Sequence, residues 1–389
     1  MLKSSIYILG LAIFIQASTA RSEILAMMAY ESKPAEDLAA LNISGTPDRR
    51  EGIAFINVDP KDGNFGKWLL DIPLNPTGNS HHIFYDRDVK KAYLTSLGQP
   101  ALQVMDLSSF PPQLTTVDVP NCVMGEDIMF DDQNEFWYLT CMGSANVWKG
   151  RVADDSIIAE IKLPGTYPHG IALDASIDRL LVTSTITPDL SSPDERITVI
   201  KASTLEIIGS IKTSTAESPS GAAPVEIFRV PNTEIPMFLL SSMFAGNLWA
   251  LTWDDATQDF KSEMAFDFMP LEFGVVLEIY FTDHDQMVVT TASPGHVHVF
   301  DISKGVLQAE LLSSTATGGG AHHVAFDLDG KYAFVQNSFL NLPGMRDGSV
   351  TVIDRNTNEV VASMDTLKNA GLNPNVIVLL PKWNLEAGH

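Results

Sequence analysis

The chain has 389 residues, 45% apolar and 19% charged, with 22 Pro and 26 Gly; this composition excludes a disordered chain and leaves ample material for a large core. Twenty-five Lys and Arg stand against 48 Asp and Glu, a formal net charge of −23. That balance excludes the basic footprint on which nucleic-acid binding depends and favours cations over anions in any concave site.

The N-terminus comes first. Lys3 precedes an apolar run from Ile6 to Ile15, and Ala17-Ser18-Thr19-Ala20 forms a small-residue cleavage site. Residues 1–20 read as a secretory signal peptide, and 21–389 as a single domain that is secreted or periplasmic. The apolar run is shorter than the ~20 residues of a membrane-spanning helix. No later stretch could span, so no membrane association is expected after cleavage. Asn42-Ile43-Ser44 is a glycosylation sequon if the source is eukaryotic.

Strand-like segments follow at 23–30, 52–58 and 67–72. A pattern then recurs six times: a polar or small entry, a short apolar strand, an acidic turn, and a second apolar strand ending mostly in Thr or Ser. Its copies begin at His81, Glu126, His169, Val225, Leu277 and His322. A third strand follows most pairs, as in residues 101–106 and 296–301, and a fourth follows that, as in 206–211 and 360–364. Four strands at this spacing are the signature of a propeller blade. Residues 375–380 read as a lone first strand that completes a seventh blade with the N-terminal segments. The expected fold is all-β, a β-propeller of seven four-stranded blades closed by N- and C-terminal strands, with six or eight blades or a β-sandwich as alternatives. Cys122 and Cys141 fall at the open end of one hairpin and are expected to form a disulfide in an exported chain; a thiolate metal site is the alternative.

Residues at the entry of each innermost strand converge on the propeller axis. Here they are His81, His82, Glu126, Asp127, His169, Glu226, Glu278, His322 and His323, which include five of the nine histidines. Imidazoles around a narrow axis make a nitrogen-rich metal site, and carboxylates beside them raise cation affinity or orient a ligand. Copper and zinc suit three or four histidines, and the oxygens add iron or manganese. No local metal motif such as H-E-x-x-H is present. His284, His296 and His298 read as surface or packing residues, and His389 as a mobile terminus. Gly318-Gly319-Gly320 reads as a flexible approach to the axis. Met27, Met28, Met124, Met129 and Met142 read as core filling rather than soft copper ligands. The absence of G-x-S-x-G leaves a nucleophile-elbow hydrolase without support.

Several runs resemble the selenium-binding protein / methanethiol oxidase family over roughly residues 50–385. They are INVDPKDGNFGKWLLDIPL followed by His81-His82, LQVMDLSSFPPQLTTVDVP, PHGIALDASIDRLLVTS with His169, APVEIFRVPN, and LDGKYAFVQNSF with DGSVTVID. The resemblance implies a seven-bladed propeller with a histidine-bound copper centre that oxidises a small thiol with dioxygen to formaldehyde, hydrogen sulfide and peroxide. It carries His81, His82 and His169 over as ligands. The chain departs from the pattern at Cys122-Val123-Met124-Gly125-Glu126, where the family has histidines and a cysteine. It also lacks the family's Cys-x-x-Cys and late Ala-His-Glu, and it adds His322-His323.

The leading expectation is therefore a copper-dependent oxidoreductase acting on a small molecule, with His81, His82, His169, His322 and His323 as ligands. Glu126 is the catalytic candidate, as ligand, orienting partner or proton acceptor. A non-catalytic binding propeller without stoichiometric metal is one rival. A lactonase-like hydrolase using calcium-type oxygen ligands at Glu126, Asp127, Glu226 and Glu278 is another. Zinc, iron and calcium are the alternative ions.

Overall fold

The computed structural model describes residues 23–40, 48–165, 167–186, 193–214, 223–282 and 285–385. The signal-peptide segment, the sequon, His284 and His389 lie outside the described residues. Seven antiparallel four-stranded sheets form the blades of a propeller. Blades 1 to 6 span residues 80–118, 125–162, 168–212, 224–267, 274–316 and 321–364. In each, the strands run outward from the axis in chain order.

The core is distributed between blades. Seven buried apolar clusters each join two adjacent blades, such as Phe84 and Tyr93 of blade 1 with Ile128 and Trp137 of blade 2. Each inner strand is therefore apolar on both faces, since both face a neighbouring sheet. The outermost strands meet solvent along one side, and Glu310–Ala316 alternates between exposed and half-buried positions accordingly.

Blade 7 closes the ring. Leu25–Ser32, Glu51–Asn57 and Trp68–Pro73 supply its outer strands, and the C-terminal chain pairs with Leu25–Ser32 as the innermost one. Joining both termini in one sheet ties the ring shut, and the sheet edges that remain are short and protected. The innermost strand differs from the expected continuous run over 375–380. It is split into Leu372–Pro374 and Val378–Leu379, because three residues from Asn375 to Ile377 face only Met28 and Ala29. Asn375 is held instead by its backbone N–H to the Ala29 carbonyl and by its side-chain amide to the Ser80 carbonyl of blade 1.

Cys122 and Cys141 form a buried disulfide with a Cα separation of 5.2 Å, which removes the thiolate metal site. The bridge closes a loop with a sequence separation of 19. Its reduction is expected to lower stability by about 3 kcal/mol through the added freedom of the unfolded chain; denaturant unfolding with and without reductant checks this. Among the described residues no helix is long and apolar enough to cross a membrane.

The triple glycine departs from expectation. A Cβ on Gly319 would meet the Gly344 carbonyl at 2.4 Å, and one on Gly320 the Met345 carbonyl at 2.1 Å. These glycines let two backbones pack, rather than freeing a segment to approach the axis.

Candidate metal centre

The site is built by one device repeated six times. In blade 1, Ser80 pairs with Ser96 and Ile83 with Leu94, so His81 and His82 together face Thr95 alone. The same two-against-one bulge holds Glu126-Asp127, His169-Gly170, Val225-Glu226, Leu277-Glu278 and His322-His323. A bulge bends its strand and re-aims side chains. It also leaves a backbone N–H without a ladder partner, which burial makes costly. In each blade the second strand answers this with a side chain. Thr95, Thr140, Thr183, Ser241, Thr290 and Gln336 accept the N–H of His82, Asp127, Gly170, Glu226, Glu278 and His323 at 2.9–3.3 Å. The recurrent Thr or Ser in the sequence pattern thus secures the bulges that carry the site. Thr140 and Thr183 further donate to the carbonyls of His169 and Val225 in the next blade, both at 2.7 Å.

All five predicted histidines meet at the axis, in two groups. His82, His322 and His323 converge with Glu278; one ligand atom from each lies within 4.8 Å of all the others. None of the four is more than 4% exposed. The rings of His82 and His323 meet edge to face at 4.4 Å, and His322 lies 4.0 Å from His323 between centroids. His322 Nε2 is 3.2 Å from Glu278 Oε1.

The second group is a row in which histidines and glutamates alternate. Glu126 Oε1 lies 2.9 Å from His81 Nε2 and 3.0 Å from His169 Nε2, and the other nitrogen of His169 is 2.9 Å from Glu226 Oε1. His81 stacks on His82 at 3.9 Å, and Glu126 Oε1 is 3.9 Å from His82 Nε2, so the two groups touch at His82.

Electrostatics separates the groups further. Burial, reinforced by the surrounding imidazoles with His81 foremost, holds His82 well below the ordinary histidine range, so its ring is neutral. Both its ring nitrogens are buried without a hydrogen-bond partner. Such an arrangement is costly unless something else occupies it. His169 is the opposite case. Burial disfavours its imidazolium, but Glu126 and Glu226 on either side outweigh this and hold it well above the usual range. Burial likewise works against the Glu126 carboxylate, and His81 and His169 overcome it, so Glu126 stays ionised.

Glu226 and Glu278, expected at the axis as carboxylates beside the histidines or as calcium-type oxygens, each sit against a histidine. Their place in the repeat, one residue after the bulge begins, was the available signal. Asp127 accepts the Ile171 N–H at 3.0 Å and thereby helps tie blade 3 to blade 2. Met124 contacts the Tyr167 hydroxyl at 3.4 Å, while Met27 and Met28 are core. His298 is fully buried within blade 5, its ring between Thr291 and Ser314 at 3.0 and 2.9 Å.

Burial lowers the His298 pKa from 6.5 to about 3. The unfolded chain therefore binds a proton that the folded one refuses between those values. Its contribution to stability is complete above pH 6.5 and is lost as pH falls toward 3, with a slope of up to about 1.4 kcal/mol per pH unit. Thermal unfolding of wild type and His298→Gln across this range checks the sign: the gap between them narrows on acidification.

No family model matches the sequence, and no curated protein matches it. Solved structures are similar in fold. A hypothetical selenium-binding protein from Sulfolobus tokodaii is 11% identical with a TM-score of 0.73, over 95% of this chain and 96% of that one. A proposed 6-phosphogluconolactonase from Bacteroides fragilis is 13% identical with a TM-score of 0.60, over 93% and 99%. Kuenenia stuttgartiensis hydrazine synthase is 17% identical with a TM-score of 0.59, over 79% and 91%.

Proposed function

We propose that this protein is an exported metal-dependent oxidoreductase whose ion, copper by preference, is held by His82, His322, His323 and Glu278. The observation that carries the reading is the convergence of three imidazoles and one carboxylate, all buried, around His82, whose ring nitrogens have no partner of their own. Nitrogen-rich sets of this kind suit copper, zinc or iron, whereas calcium takes six to eight oxygens. The ligand set differs from the one implied by the family resemblance. His322 and His323, which have no counterpart in the family pattern, and Glu278 take the place of His81 and His169.

A bound copper ion supplies one-electron exchange between a reduced substrate and dioxygen. In a balanced cycle the substrate loses two electrons and two protons, and dioxygen takes up both pairs as hydrogen peroxide. The chain's own residues bind, orient and manage charge. Glu126 orients His81 and His169 through its contacts of 2.9 and 3.0 Å. His169 is held protonated between Glu126 Oε1 and Glu226 Oε1, beside the proposed cation site. His169 has the most exposed side chain of the row, at 14%. A buried disulfide is compatible with the exported setting.

The test is dioxygen uptake by copper-loaded protein with small neutral thiols. Uptake with matching peroxide release supports the reading. A hydrolytic rival is favoured by the three channel carboxylates and by the lactonase-named neighbour. Calcium-dependent lactone opening without dioxygen uptake would establish that rival instead.

A further inference from the structure

Beneath the histidine layer the propeller axis widens into a chamber of about 550 Å³. His323 and Asp127 stand at its inner end. Its wall just below them is a ring of Ile83, Ile128, Ile171, Ile227, Val324 and Ile377, each between 1% and 4% exposed. Five of these are the first residue after a bulge, so the device that turns histidines toward the axis sets an aliphatic layer directly under them. The chamber continues toward the opposite face of the propeller, where its lining is mixed: Leu328, 59% exposed, and Pro231 stand with Asp86, Arg87, Asp132 and Arg229.

We infer that this chamber is a binding site for an uncharged n-alkyl compound, whose chain lies along the axis with its end at His323. The volume is that of a small-molecule pocket and exceeds what a one-carbon substrate needs. The aliphatic ring gives no partner to a charged group at that depth, whose burial there would be costly; the charged lining residues Asp86, Arg87, Asp132 and Arg229 stand at the far ends of the inner strands. The net charge of −23 opposes anions at long range as well. As a substrate site the chamber rests on the proposed metal reading; as a binding site it does not.

The test uses the protein as purified and a homologous series of 1-alkanols from ethanol to octanol, with affinities from calorimetry or ligand-observed NMR. Each added methylene moves from water to an aliphatic wall, so affinity rises about fourfold per methylene until the chamber is filled. Ile227→Trp fills the chamber beside His323 and weakens octanol at least tenfold. A flat affinity across the series overturns the inference without recourse to any variant. Undiminished octanol binding by a folded Ile227→Trp protein, judged by circular dichroism, does the same. Metal content is measured on the same samples. Alkanol binding by protein that takes up no metal leaves the chamber standing and removes the metal reading. A bound metal with a flat alkanol series does the reverse.

Discussion

Alanine at both His322 and His323 is expected to abolish metal binding at the proposed site while leaving the propeller folded. These side chains supply two of the four ligand atoms that converge within 4.8 Å. What remains of this group is His82 and Glu278, too few to hold an ion there; His81, His82 and Glu126, whose ligand atoms also lie within 4.8 Å of one another, are left intact, so metal retained by the double variant would place the ion among those three. Loss of an outer partner that only orients a ligand costs roughly 10- to 100-fold in affinity. The double variant is expected to lose more than this, with no stoichiometric metal after desalting. Glu226→Gln, which alters a contact to His169 and touches none of the four, is expected to lose no more than that range. The fold survives the double change because the bulge is held through backbone: His323 donates its N–H to the Gln336 side chain whatever its own side chain is. Inductively coupled plasma mass spectrometry reads the metal, and circular dichroism reads the fold. Equal losses in Glu226→Gln and the double variant would place the ion in the wrong group.

Gly170→Ala is expected to damage stability and site together. Gly170 is the second residue of the blade 3 bulge, and an added Cβ would meet Val225 O at 2.5 Å, Glu226 Cα at 2.8 Å and Ile227 N at 2.8 Å. All three are backbone atoms of the blade 4 bulge, so no side-chain rotation relieves the clash. Blade 4 has to move away from blade 3, which strains the Thr183 hydrogen bond to Val225 and opens the His169–Glu226 contact of 2.9 Å. Overpacking of this kind costs roughly 1–3 kcal/mol. Gly209→Ala, where nothing lies within 4 Å of the new atom, is expected to stay within about 0.5 kcal/mol of wild type. Denaturant midpoints for the two variants give the comparison.

The repeat was legible because its physics is local. An apolar pair of strands joined by an acidic turn is visible in each copy, and six copies placed the entry residues in register. That register found all five axial histidines and Glu126. The division among them was not legible. Which group a residue at a bulge joins depends on which side chains the other blades bring to the axis beside it, and a linear pattern holds no information about that. Glu278 illustrates the point: it lies about 45 residues before His323 in the chain, and only the turn from blade 5 to blade 6 sets it against His322. The bulge itself was hidden as well. Thr95, Thr140 and Thr183 read as strand ends, although each accepts the N–H that its bulge leaves over. The split of the closing strand around Asn375 escaped for a similar reason, since a continuous apolar run does not reveal that three residues will face two.

The most direct measurement is the metal content of the purified protein after exposure to copper and desalting. The account predicts about one copper per chain in wild type, retained in Glu226→Gln and absent from the His322→Ala, His323→Ala protein. A wild type that holds no copper, zinc or iron would contradict it and leave the axial histidines with a structural role.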